Sequence, residues 1–314
     1  MKTYSPSTIN SLKINKDFLF FSLLYLVMSL VMLNGIKGYE SDFATYTMSV
    51  EFGRWENFKN SEILSKITFI VLSFFGSAKV MVSLISVFIY VSVIYLLKKI
   101  AFQYLQQSQY IHLLLIIALA FSFPVLSLSQ SILRQGLAIV IMLLLLGSSK
   151  QLSLGFKLLV FLVAFLFHNS LAVFLPLIFI RKDTHTKLIN LCKFFMFTFI
   201  YLVTINIFLI SDIKKIDSLD SIKVSIFSFL LSIFALYVLS LNNFKNSWIP
   251  FLYLNSLVII IVNYELINVD RFLYLPWIFS PILMFKFLNN NILITLFTII
   301  WVSLNIMYQP TRFY

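Results

Sequence analysis

The sequence predicts an all-α, polytopic integral membrane protein, on the strength of three observations. Hydrophobic residues make up 60% of the 314 and charged residues only 11%, where soluble domains carry about 45–50% apolar and about 25% charged residues. Mean hydropathy is +0.95. Apolar runs as long as the ~20 residues a spanning helix needs recur from near Phe18 almost to Tyr308, parted by brief polar breaks. No soluble domain of useful size fits between them, so residues 1–314 are expected to form a single transmembrane domain.

The elements follow in order. MKTYSPSTINSLKINKD precedes an apolar run at 18–33 and lacks a small-residue cleavage site, so the run is expected to be a retained first span at 18–36. Lys2, Lys13 and Lys16 place that end in the cytoplasm. The polar segment 37–62, KGYESDFATYTMSVEFGRWENFKNSE, then lies outside. ILSKITFIVLSFF at 63–75 is short and amphipathic, which suits a helix at the membrane interface, and 37–79 becomes one sizeable outer loop. Further spans are expected near 80–97, 111–128, 132–148, 188–210, 222–240, 248–267, 271–288 and 291–308. With a broken or re-entrant pair at 153–180, that makes about 10–11 membrane helices.

The segment 153–180 also admits a single span, from about Lys157 to Arg181, with His168 near the midplane. In the hairpin alternative the chain turns at His168-Asn169-Ser170, ahead of Pro176, and returns to the cytoplasm at Arg181 and Lys182. Backbone that turns within a membrane needs protein or a watery cavity to satisfy it. Basic residues divide almost evenly between the two sides either way, so charge does not choose. The hairpin places Asp42, Arg54, Arg134, His168 and Arg271 on the outer side, whereas the single span sends Arg271 to the cytoplasm.

Lys and Arg number 24 against 12 Asp and Glu, a net charge of +12. In a polytopic chain that excess is a topology signal. The basic residues are scattered, with no stripe of stacking aromatics outside the apolar runs, so nucleic acid is excluded as a partner. Cys192 is the only cysteine, which rules out an internal disulfide, a cysteine-based zinc site and a CxxC redox pair. The two carboxylates of DSLD at 217–220 do not make a metal site, and there is no phosphate-cradling glycine loop or nucleophile elbow.

The chemistry must therefore come from isolated polar residues in an apolar background. Arg134, in SLSQSILRQGLA, starts a span after a very short hairpin. An arginine at a helix centre costs roughly 2.5 kcal/mol or more and less near an interface, so it faces a cavity, a partner or the interface itself. Arg271, in NVDRFLYLPW, begins another span and is either an interfacial anchor with Asp270 or a second anion ligand. Two guanidiniums match phosphate oxygens in a bidentate manner and stay charged, so a pyrophosphate suits them. His168 is a candidate general base, or else a histidine satisfied within the bundle. In the polar segment, Glu40, Asp42, Glu51, Arg54 and Glu56 are candidates for a hydrophilic substrate, and Tyr39, Tyr46 and Trp55 for stacking on sugar rings. A solvated loop without a site is the competing reading.

Taken together, SDFATY around Asp42 and Tyr46, LRQGLA at Arg134, HNS at His168 to Ser170 and RFLY at Arg271 to Tyr274 resemble the EpsG group of Wzy-type polysaccharide polymerases. The pieces run in the family's order over residues 42–274. One departure stands out: the family loop often ends in Glu-Pro before the next helix, whereas here Glu62 is followed by Ile63.

The resemblance implies transfer of a glycan from a polyprenyl-pyrophosphate carrier onto an incoming lipid-linked repeat unit, at the outer face of the bacterial inner membrane. It implies catalytic roles for His168 first and Asp42 second, and pyrophosphate binding by Arg134 and Arg271. Tyr46, Arg54, Ser170 and Tyr274 would hold the glycan or shape the loop. No cofactor and no metal is expected, since arginines can stabilise the leaving charge. Expected partners are the lipid-linked oligosaccharide, the bilayer, and a chain-length regulator and flippase of the same pathway. A lipid-linked oligosaccharide flippase or secondary transporter and a membrane sugar acyltransferase are the competing functions; two-fold internal repeats common in transporters are not visible.

Overall fold

The computed structural model describes residues 20, 21, 23–27, 42–55, 62–102, 105, 108–130, 132–148, 152–179, 230–237, 248–263, 269–288 and 290–308. Among the described residues every regular element is helical. The helices are α1 (Asp42–Phe52), α2 (Ile63–Ser73), α3 (Ala78–Ala101), α4 (Gln109–Ala120), α5 (Phe123–Gln130), α6 (Leu133–Leu146) and α7 (Leu154–Phe167). A 3-10 helix (Asn169–Phe174) leads into the short α8 (Leu175–Ile178), and α9 (Ile249–Asn263), α10 (Val269–Leu288) and α11 (Asn291–Tyr308) follow. The expected span at 188–210, Cys192 and Lys182 lie outside the described residues, as do most of the spans at 18–36 and 222–240.

Among the described residues, only α3 is by itself long and apolar enough to cross a membrane, with 24 residues and a mean hydropathy of 2.5 over its most apolar window. It is also the centre of the packing, touching α1, α2, α4, α5 and α6. Tyr90, Val93, Ile94 and Leu97 of α3 are buried between its neighbours. The outermost helices turn apolar side chains outward instead: Ile292, Leu296, Ile299 and Leu304 on α11 are all more than 45% exposed. Such a face costs about 25 cal/mol per Å² in water and nothing in lipid.

The polar segment departs from the expected loop, because α1 lies inside it. Its end is set by Gly53, whose φ of +65° only glycine adopts freely. The Arg54 N–H then closes the helix on the Ser49 carbonyl at 2.9 Å. A helix is present where the interfacial one was expected, as α2, with Ile63, Ile67 and Val71 exposed on one face and Ser65 and Phe69 buried on the other.

The expected span at 111–128 is broken. Pro124 has no N–H and clashes with the carbonyl four residues before it, that of Ala120, where α4 stops. The axis bends by 57° into α5. Neighbouring side chains take up the freed backbone groups: the Tyr90 hydroxyl donates to the Ala120 carbonyl at 2.9 Å, the Trp301 indole to Ala118 at 3.2 Å, and the Phe123 N–H to Asn305 Oδ1 at 2.6 Å. Asn305→Leu strands that N–H. We expect a loss of about 1–3 kcal/mol, read as a lower thermal midpoint in detergent, and an unchanged midpoint would refute the stapling role.

A second break falls at His168. The residue is extended, with φ −155° and ψ 118°, and caps the 3-10 helix, while Pro176 sits in the first turn of α8. The helix therefore stops where the HNS sequence suggested, and the 3-10 segment packs against α6, α7, α9 and α10.

Candidate functional site

Three polar residues from distant parts of the chain meet beneath this second break. Glu62 stands at the N-cap of α2, yet its side chain makes no capping bond to its own helix. Its carboxylate turns inward instead, with Oε2 ion-paired to Nη1 of Arg134. Its other oxygen, Oε1, faces Nε2 of His168 at 3.7 Å. The Glu62 side chain is 2% exposed, His168 9% and Arg134 14%. A carboxylate so enclosed is tolerated because a guanidinium sits on it, and the positive end of the α2 dipole adds to that.

Arg134 is aimed by the short link between α5 and α6. The Ile132 N–H bonds the Ser127 carbonyl at 3.0 Å, and Ser86 of α3 donates to the Ser129 carbonyl, which pins the end of α5. Arg134 thus starts in the first turn of α6, with its guanidinium over the Tyr46 ring at 5.4 Å. Tyr46 is buried on α1 and stacks on Phe69 of α2, with centroids 4.8 Å apart. The aromatic residue expected to meet a sugar thus underlies the arginine. Cation–π contact and planar donors together fix the direction of the guanidinium.

His168 is held from both sides. Its Nδ1 accepts the Ser170 N–H at 3.2 Å and lies 2.7 Å from the Ser170 hydroxyl. A backbone amide can only donate, so Nδ1 is the acceptor and the proton of the neutral ring is on Nε2, facing Glu62. Ser65 of α2 donates to the Phe167 carbonyl at 2.7 Å. That bond satisfies one of the orphan carbonyls at the end of α7 and ties the helix after Glu62 to the residue before His168.

Of the residues singled out in the sequence, Arg134, His168, Ser170 and Tyr46 are brought together. Tyr274 is buried on α10 and donates to the Ser127 hydroxyl at 3.3 Å, joining α10 to the helix that leads to Arg134. Arg271 lies three residues before Tyr274 in the first turn of α10, and Asp42 one turn before Tyr46 on α1; their side chains lie outside the described residues. Arg54 is exposed with its guanidinium 5.7 Å from the Phe52 ring, and is not part of the ion-paired cluster. Among the described residues, no group of three His, Cys, Asp or Glu side chains is placed to hold a metal ion.

The model of the EpsG family matches residues 18–312, nearly the whole chain. The chain belongs to the EpsG family. That family is the one of Wzy-type polymerases, in agreement with the resemblance carried by the SDFATY, LRQGLA, HNS and RFLY segments. No curated protein and no solved structure matches the chain. The family and the helical, partly apolar build mark this EpsG member as a membrane protein, and the family carries a polysaccharide polymerase-type function.

Sequence reasoning missed Glu62 as a site residue. The signal was present as the departure at the end of the polar loop, where the family's Glu-Pro is Glu-Ile here. The proline is gone, but the acidic residue remains and is the one that joins Arg134 to His168.

Proposed function

We propose that this EpsG-family protein polymerises lipid-linked oligosaccharide repeat units into O-antigen or a related surface polysaccharide. A growing glycan on a polyprenyl-pyrophosphate carrier is the donor, and a sugar hydroxyl of an incoming lipid-linked repeat is the acceptor. The protein sits in the bacterial cytoplasmic membrane through about 10–11 membrane helices, counting a broken or re-entrant pair at 153–180, and the site faces the outer side.

The observation that supports this reading is the meeting of Glu62, Arg134 and His168 in an enclosed cluster among apolar helices. Glycosyl transfer from a pyrophosphate needs a cation for the leaving oxygen and an acceptor for the hydroxyl proton. Arg134, with Arg271 at the start of α10, is assigned to the pyrophosphate. Proton handling falls to the His168 end of the cluster, with Asp42 the second nominee. Tyr46 steadies Arg134, Ser170 steadies His168, and Arg54 and Tyr274 shape the loop and the α10 side. A chain-length regulator and a flippase are the expected neighbours in the pathway.

Deleting the gene and resolving the surface glycan on a gel tests this function. We expect the repeat-length ladder to vanish while a single repeat unit still reaches its acceptor. An unchanged ladder would sink the proposal, and loss of even the single repeat would point to a flippase.

A further inference from the structure

On the basis of that glycosyl-transfer reading, we infer that Glu62 is the general base of the reaction, that His168 is its positioning residue, and that donor pyrophosphate frees Glu62 by competing for Arg134. Hydrogen bonding at His168 is the first ground. Its Nδ1 lone pair is engaged by the Ser170 N–H and its Nε2–H faces a carboxylate, so the ring offers no lone pair to a sugar hydroxyl in this arrangement.

The second ground is the geometry of Glu62. As an N-cap residue it would ordinarily accept a bond from its own helix, and it does not. The carboxylate is instead directed between Arg134 and His168. Oε1 faces Nε2 at 3.7 Å, and an ionised carboxylate has about four lone-pair sites, so a sugar hydroxyl can join these contacts as a further donor.

The third ground is the pairing itself. A guanidinium closed on a carboxylate is a neutral unit, whereas a pyrophosphate offers more negative charge and a matching set of oxygens. When the donor takes Arg134, Oε2 loses its cation and the carboxylate gains affinity for a proton. The base is therefore released only once the donor is in place.

In the transfer step, the acceptor O–H proton passes to the Glu62 carboxylate, and the oxygen's electron pair forms the new bond to the anomeric carbon. The bond from that carbon to the pyrophosphate oxygen breaks, its electron pair remains on the phosphate beside Arg134, and the polyprenyl pyrophosphate departs. Glu62 then returns its proton to water.

The test measures glycan lengthening by full-length protein in proteoliposomes supplied with lipid-linked repeat units. For Glu62→Gln, which keeps the shape of the side chain, we expect kcat to fall on the order of 10²-fold, while KM for the donor lipid stays within about threefold of wild type. Glu62→Ala should regain at least about tenfold of its lost rate with added formate, a carboxylate small enough for the vacated space, and Arg134→Ala should not. If Glu62→Gln does not accumulate, the formate rescue of Glu62→Ala decides. A wild-type kcat in Glu62→Gln, or an inactive Glu62→Ala that formate leaves inactive, would overturn the assignment. A wild type that lengthens no glycan sinks the polymerase reading itself, whereas an active wild type beside an equally active Glu62→Gln sinks only the role of Glu62.

Discussion

Arg134→Ala is expected to erase the repeat-length ladder and to destabilise the protein at once. Two effects combine. The donor loses the cation proposed to meet the leaving pyrophosphate, and removing one well-placed charge-stabilising donor costs about 10²–10³-fold in rate. The Glu62 carboxylate, with a side chain 2% exposed, also loses its partner. Breaking a buried ion pair by removing one member costs about 3–5 kcal/mol. The two effects separate in the double variant Glu62→Gln/Arg134→Gln, which leaves no buried charge unpaired. Its thermal midpoint in detergent should rise above that of Arg134→Ala, while the ladder stays absent. A normal ladder from Arg134→Ala protein present in the membrane would remove Arg134 from the chemistry.

Gly136→Ala is expected to lower stability and activity together, against what helix propensity alone indicates. In an exposed helix the change gains about 1 kcal/mol. At this position α6 crosses α3 and α5 so closely that a β-carbon would run into the Leu128 carbonyl oxygen and lie 2.8 Å from Cγ2 of Ile89. A backbone oxygen cannot rotate away as a side chain can. Overpacking of this kind costs about 1–3 kcal/mol, which outweighs the propensity gain. Relief requires the first turn of α6 to move, and Arg134 is in that turn. A displacement of about 1 Å at a catalytic group is worth on the order of 10²-fold in rate. Polymer should therefore shorten or vanish and the thermal midpoint should fall; a midpoint at or above wild type would show that the crossing is looser than the geometry requires.

Much of the fold was legible in the sequence because lipid selects for composition. Apolar runs marked α3, α6, α9, α10 and α11 to within a few residues of their ends. The HNS interruption marked the end of α7, where His168 leaves helical geometry. The break at Pro124 was missed because average hydropathy does not register one missing N–H, although FSFPVL carried the cue. The helix α1 was missed because a polar segment with mixed charge resembles a loop, and its helical form is supported by packing against α2 and α3.

The site was legible in part. Arg134 and His168 stood out because polar side chains in apolar runs are costly and need a reason. Glu62 did not stand out, because a glutamate in a polar segment is commonplace. What makes it unusual is burial, and burial belongs to the tertiary structure. Tyr46 likewise reads as a sugar-stacking residue until α2 and Arg134 close over it.

By itself the sequence determined that this chain is a helical membrane protein of the EpsG type, since composition, apolar run length and motif order are properties of the chain read locally. The tertiary structure alone decided that Glu62 pairs with Arg134 across 72 residues and faces His168 beyond it. The physical reason is that a carboxylate, a guanidinium and an imidazole acquire their roles from distance and enclosure. Both are fixed by the Ser65 bond to the end of α7 and by the close crossing at Gly136, neither of which any local pattern encodes.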